Sequence, residues 1–180
     1  MPDPGARTRR LFFAVWPDAA TRSELRRVTR RAVRVSGGRP VPPDNYHITL
    51  AFLGNQPEAR FEDIVRAGSR IAAQPIELTL DRFGFWPKPR VFWIGPTEFP
   101  PQLSTLACDL WDQLEPLDIK RERRPLRPHV TLARKVAAQP EVREPSPLKW
   151  FVSEFALIES VTDQRGAVYT VAKQYPLGKF

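Results

Sequence analysis

Cysteine and histidine are nearly missing from this chain. Among 180 residues Cys108 is the only cysteine, so an intrachain disulfide and a cysteine-rich metal centre are both excluded. No apolar run approaches the roughly 18 residues that span a bilayer, so no membrane partner is expected. The N-terminal stretch "MPDPGARTRR" has no apolar core ahead of a cleavage site and does not read as a secretion signal. The expectation is a cytoplasmic protein. Disorder is excluded as well, because 42% of the residues are hydrophobic, with 11 Phe and 5 Trp, and these can build a sizeable core. The length suits one domain, or two small lobes sharing one core.

Charge is what the chain has in excess. Lys and Arg number 28 against 20 Asp and Glu, a net charge of +8. A basic surface favours polyanions, of which nucleic acid is the common case. Arginine-rich proteins share this property widely, so the charge permits such a partner without selecting one.

Short elements follow one another along the chain. "RLFFAVW" (10–16) reads as a buried strand, and Asp18 as the N-cap of a helix over 18–35. Leu25, Val28, Ala32 and Val35 recur there at helical spacing, with arginines on the other faces. Those arginines are ordinarily a solvated face, and an RNA-facing patch is the alternative. "SGGRPVPPDN" is a loop, and "YHITLAFLG" (46–54) a strand ended by Gly54. A helix is predicted over 58–73, strands over 76–86 and 90–95 joined around "PKP", and a helix from Pro100 to Leu114 on Leu103, Leu106, Leu110 and Leu114. The basic loop "KRERRPLRP" precedes a further strand, and 151–161 and 167–175 read as two closing strands across "TDQRG". The order predicts an α+β fold of mainly hairpin-linked strands.

Both histidines of the chain head the same pattern. "HITL" starts at His47 and "HVTL" at His129. Side chains alternate across a strand, so His47 shares a face with Thr49, and His129 with Thr131, while Ile48, Leu50, Val130 and Leu132 face the core. Each copy offers an imidazole and a hydroxyl on a rigid element. Two imidazoles on one cavity suit in-line phosphoryl chemistry: a neutral one takes a proton from the attacking oxygen, and a protonated one gives a proton to the leaving oxygen. The threonine hydroxyls can donate to the non-bridging oxygens. A metal site is the competing reading. Two histidines make a poor zinc set, because Asp44 before the first copy has no counterpart before the second. No metal and no cofactor are expected. Cys108 falls within a predicted helix among apolar neighbours, which argues against a nucleophile.

"RLFFAVWPD", "NYHITLAFLG", "PRVFWIG" and "RPHVTLARK", in that order and spacing, resemble the RNA 2′,3′-cyclic phosphodiesterases, also called 2′-5′ RNA ligases, of the two-histidine phosphoesterase superfamily. The resemblance runs from about Arg10 to the C-terminus. It implies a bilobed α+β fold with a pseudo-two-fold axis: two lobes of mainly antiparallel sheet, helices outside, and a cleft between them. Residues 1–9 are expected to be a flexible N-terminal segment and 10–180 a single bilobed domain. The implied activity is hydrolysis of an RNA-terminal 2′,3′-cyclic phosphate to a 2′-phosphate, with ATP-independent 2′-5′ joining as the reverse-type activity. By position, His47 would be the proton donor to the departing 3′ oxygen and His129 the proton acceptor that activates water. Thr49 and Thr131 would hold the phosphate. Arg134, five residues after His129, would contact the nucleotide; its alternative is a surface arginine at a strand end. Tyr46 departs from the leucine frequent at that position, and a strand tyrosine there is expected to point into the packing. The implied partner is RNA with 2′,3′-cyclic ends, tRNA fragments among the candidates, bound by a monomer. Two other readings stand beside this one: a phosphodiesterase of linear 2′-5′ oligonucleotides or small cyclic nucleotides, and a non-catalytic RNA-binding module.

Overall fold

Strand β1 (Thr8–Val15) opens the fold in a computed structural model that describes residues 7–164 and 166–178. Its apolar run is buried on both faces. Leu11, Phe13 and Val15 enter the main core, while Phe12 and Ala14 join a smaller cluster on the opposite side of the sheet. The strand starts two residues before the expected Arg10. Arg9 lies within it, pairs with Glu159 through Nε and Nη2 at 3.0 and 2.6 Å, and stacks over the Phe61 ring. Thr8 and Arg9 of the expected N-terminal segment thus belong to this strand, and residues 1–6 of that segment lie outside the described residues.

Helix α1 (Ala19–Val35) begins as expected, with Asp18 Oδ1 accepting the Thr21 amide at 2.7 Å. Leu25, Thr29 and Ala32 are buried, and Val35 is exposed. The following loop contains a two-residue strand, β2 (Arg39–Pro40), and a 3₁₀ turn over Pro43–Asn45. Strand β3 (Ile48–Pro57) runs past Gly54. That glycine has φ +68°, and the pairing with β1 slips between Phe52 and Gly54. Gly54 thus forms a bulge in a continuing strand, because the absent Cβ makes the left-handed conformation cheap. The expected helix over 58–73 is a 3₁₀ turn followed by α2 (Phe61–Ser69).

Two expected strands prove to be pairs. The 76–86 segment breaks at Asp81 into β4 (Ile76–Leu80) and β5 (Arg82–Trp86). The Asp81 amide donates to the Gly95 carbonyl, and Asp81 Oδ1 accepts the Thr97 amide at 2.7 Å, so this residue turns the chain from one sheet to another. β6 (Val91–Gly95) completes the expected hairpin with β5, and α3 (Pro101–Leu114) buries all four predicted leucines. After β7 (Val130–Arg134), the first closing strand is preceded by β8 (Leu148–Val152) and separated from it at Ser153. β9 (Glu154–Asp163) and β10 (Gly166–Pro176) then close the chain.

The strands form two antiparallel four-stranded sheets, ordered β10-β9-β1-β3 and β2-β7-β6-β5, and a two-stranded sheet β4-β8. β3 lies beside β1 at the edge of the first sheet, and β7 lies beside β6 in the second, with only the two-residue β2 outside it. One continuous apolar cluster, from Leu11 to Leu177, draws on both large sheets and all three helices. The fold is α+β, as the strand order predicts.

Candidate active site

The two histidines stand just before β3 and β7, one residue outside the strands expected to contain them. A matching hydrogen bond holds each ring. His47 Nδ1 donates to the Asn45 carbonyl, and His129 Nδ1 donates to the Arg127 carbonyl, both at 2.7 Å. A carbonyl can only accept, so Nδ1 carries the hydrogen and Nε2 of the neutral ring presents its lone pair as an acceptor. His47 Nε2 lies 3.1 Å from Thr49 Oγ1, confirming that the two share a face. Ile48, Leu50, Val130 and Leu132 are buried on the other side. Tyr46 is buried too, packed in the core with its hydroxyl at Thr29, as expected of a packing residue.

A duplicated bulge redirects each strand beyond its threonine. β3 pairs Thr49 with Ala14 and Ala51 with Phe13, leaving Leu50 without a partner. β7 pairs Thr131 with Trp93 and Ala133 with Phe92, leaving Leu132 without one. In both strands the leucine and the next alanine are buried together. An extra residue reverses the side-chain alternation. The residue five after each histidine, which strict alternation would place on the core side, is thereby returned to the histidine face. These residues are Phe52 and Arg134.

His47, Thr49, Phe52, His129, Thr131 and Arg134 all line one cleft of about 530 Å³. All five site residues predicted from sequence thus come together between the two large sheets. Sequence reasoning missed Arg10, Phe12 and Tyr169, which also line it. The repeat puts a phenylalanine where its second copy has Arg134, and Arg10 on the neighbouring β1 supplies a cation there, its guanidinium over the Phe52 ring at 5.0 Å. Arg10 and Phe12 stand two apart on one strand. Their shared face was legible, but that this face is a cleft was not.

Aromatic rings enclose both imidazoles. Trp16 stacks on His47 with centroids 5.3 Å apart and planes 7° from parallel, while Tyr169 meets the ring edge-on and Phe12 at a tilt. Trp86 meets His129 edge-on with centroids at 4.5 Å, and Trp93 stands behind it. Trp93 lies flat on Gly84, where an added Cβ would stand 2.0 Å from the indole. Burial is the main cause that pushes His47 down to about 4; the Asn45 carbonyl opposes it, and the charges of His129 and Arg134 add to it. Burial also lowers His129, against the Arg127 carbonyl, with Arg134 adding to it. Both rings are therefore neutral at pH 7. Among the described residues no three His, Cys, Asp or Glu side chains form a set that could hold a metal ion. Cys108 stands outside the cleft on α3 and accepts a hydrogen bond from Arg121 at 2.8 Å.

Comparison with known proteins settles the lineage. An RNA 2′,3′-cyclic phosphodiesterase of Thermus thermophilus is 34% identical over 93% of this chain and 90% of its own. The protein of that name from Escherichia coli is 33% identical over 93% and 96%. The sequence model of LigT-like phosphoesterases matches residues 15–93. The chain belongs to the LigT-like phosphoesterase family. Within that family its fold is close to that of E. coli LigT in the apo form, with a TM-score of 0.88 and 31% identity over 97% of this chain and 100% of that one. The E. coli LigT complex with 3′-AMP gives the same TM-score at 32% identity, covering 96% of this chain and 100% of that one. The matched region of this LigT-like phosphoesterase holds the first histidine strand; the second lies beyond residue 93.

Proposed function

We propose that this LigT-like phosphoesterase hydrolyses RNA-terminal 2′,3′-cyclic phosphate to a 2′-phosphomonoester, without a metal or cofactor. The carrying observation is that two imidazoles, each with Nδ1 committed to a backbone carbonyl, face one cleft together with two threonines and two arginines. Relatives 34 and 33% identical over nearly the whole chain are named RNA 2′,3′-cyclic phosphodiesterases.

In this reading His129 Nε2 takes a proton from water as the water oxygen bonds to phosphorus. The bond from phosphorus to the 3′ oxygen breaks, and His47 Nε2 gives that oxygen its proton. The 2′ ester remains. Solvent exchange then returns both rings to their starting states. Thr49 and Thr131 donate to the non-bridging oxygens, and Arg134 holds the phosphate or stacks on the base. Arg10 faces the same phosphate from the other sheet. A 5′-hydroxyl in place of water would give a 2′-5′ linkage without ATP, because the cyclic ester already carries its leaving group. The single cysteine accords with a cytoplasmic setting; the reading further takes the protein as a monomer acting on RNA ends, those of tRNA fragments among them.

The test is incubation with a cyclic-ended oligoribonucleotide in chelator, followed by identification of the product. A 2′-phosphate is expected. Mainly 3′-phosphate would reject the assignment of the leaving oxygen, and activity restored only by zinc or manganese would reject the metal-free mechanism.

A further inference from the structure

A second and larger groove, of about 920 Å³, opens off the cleft, and Thr49 and His129 line both. Its walls are the basic segment 121–127, the β5–β6 turn and α3. Five cations reach it, Lys88, Arg121, Arg123, Arg124 and Arg127, against one acid, Glu122. Arg121 is fixed by Asp112 at 3.7 Å and by Cys108 Sγ. Arg123 and Arg124 are exposed and make no hydrogen bond or ion pair among the described residues. Three aromatic rings line the groove: Trp111 is buried, and bases could stack on Phe99, 43% exposed, and on Trp86, whose ring meets His129.

We propose that this groove binds the single-stranded RNA on the 5′ side of the cyclic end, so that the enzyme selects oligonucleotides over cyclic mononucleotides. The proposal rests on the reading of the cleft as a cyclic-phosphate site. Cations and exposed rings side by side are what a flexible strand uses: phosphates pair with the guanidinium groups and bases stack on the aromatics. The strip of positive charge runs up to His129, the histidine that faces the phosphate in this reading. A strand entering from the cleft meets that charge continuously. The groove also exceeds the cleft in volume, which gives room for nucleotides beyond the terminal one.

The test compares a 2′,3′-cyclic mononucleotide with a cyclic-ended oligoribonucleotide, in the wild type and in the double variant Arg123→Ala/Arg124→Ala, over a salt series. The wild type should show a lower KM for the oligonucleotide, rising with salt. The double variant should raise that KM roughly tenfold and flatten the log–log salt slope by about 1.4, the share of two phosphates on a single strand. Mononucleotide hydrolysis should be unchanged, which also certifies the fold. Equal KM for both substrates in the wild type, or an equal rise for both in the variant, would overturn the proposal. So would a variant that loses only the joining of a 5′-hydroxyl strand, since the groove would then hold a second strand. If the wild type hydrolyses neither substrate, the reading of the cleft fails separately. Fluorescence anisotropy with the same oligonucleotide then decides the groove: weaker binding by the double variant supports it, and equal binding overturns it.

Discussion

Placing an anion between the two imidazoles should reverse the protonation of His47. Burial among Trp16, Phe12 and Tyr169 holds this ring at about 4, with the nearby His129 and Arg134 adding to the effect. At pH 7 only about one ring in a thousand is then charged. A proton donor needs the charged form. The substrate itself can supply what is lacking: two unit charges ~4 Å apart attract by ~4 kcal/mol at an effective dielectric constant of ~20. At ~1.4 kcal/mol per tenfold, that is roughly a thousandfold in proton affinity and moves the midpoint of His47 to about 7. NMR titration of the Cε1 protons can follow this, since the chain has two histidines and a His129→Gln variant assigns them. The free protein should show His47 titrating near 4, and saturation with a nucleoside 2′-phosphate should raise it to near neutrality. The kinetics should agree. kcat/KM reports the free enzyme, where both rings sit below their ordinary value, so it should decline as pH rises through the usual histidine range. kcat reports the complex and should hold to higher pH. An unmoved His47 midpoint in the saturated complex, or an ordinary midpoint in the free protein, would refute the reasoning.

Stability should follow the same linkage. The folded state favours neutral histidines, so their contribution is complete above the unfolded value of roughly 6.5 and is lost as pH falls through the folded value, about 4 for His47. The thermal midpoint should therefore drop across that window, and His47→Gln should flatten the drop; an unchanged slope would count against it. Replacing either histidine with Ala should cost roughly 10²–10⁴-fold in rate, and a nitrophenyl ester, which needs little proton donation, should rescue His47→Ala alone; equal rescue of both variants would reverse or void the roles. Arg134→Ala should raise KM more than it lowers kcat, and should raise the midpoints of both histidines because its charge depresses both; wild-type kinetics and titration would leave only a surface arginine. Gly84→Ala puts a Cβ against Trp93 and should cost ~1–3 kcal/mol in urea unfolding, with a loss of kcat as Trp93 and Trp86 shift behind His129; native stability would show that the indole can move aside.

The sequence by itself determined the local part of this site. Strand periodicity alone places His47 with Thr49 and His129 with Thr131, because alternation is a property of a single strand. The cap at Asp18 and the leucine spacing of α3 were legible for the same reason: each depends on residues within a turn or two of one another. What depended on distant pairing was not legible. The bulges at Leu50 and Leu132 arise from registers set by β1 and β6, and without them Phe52 and Arg134 would face the core. The breaks at Asp81 and Ser153 exist because the chain changes sheets there, and each is tied by hydrogen bonds to residues far along the sequence. Arg10 enters the cleft because β1 happens to border β3, and the depressed histidines take their character from rings on several different strands. An amino-acid sequence carries the period of each element; only the packed sheets decide which face meets another across a cleft.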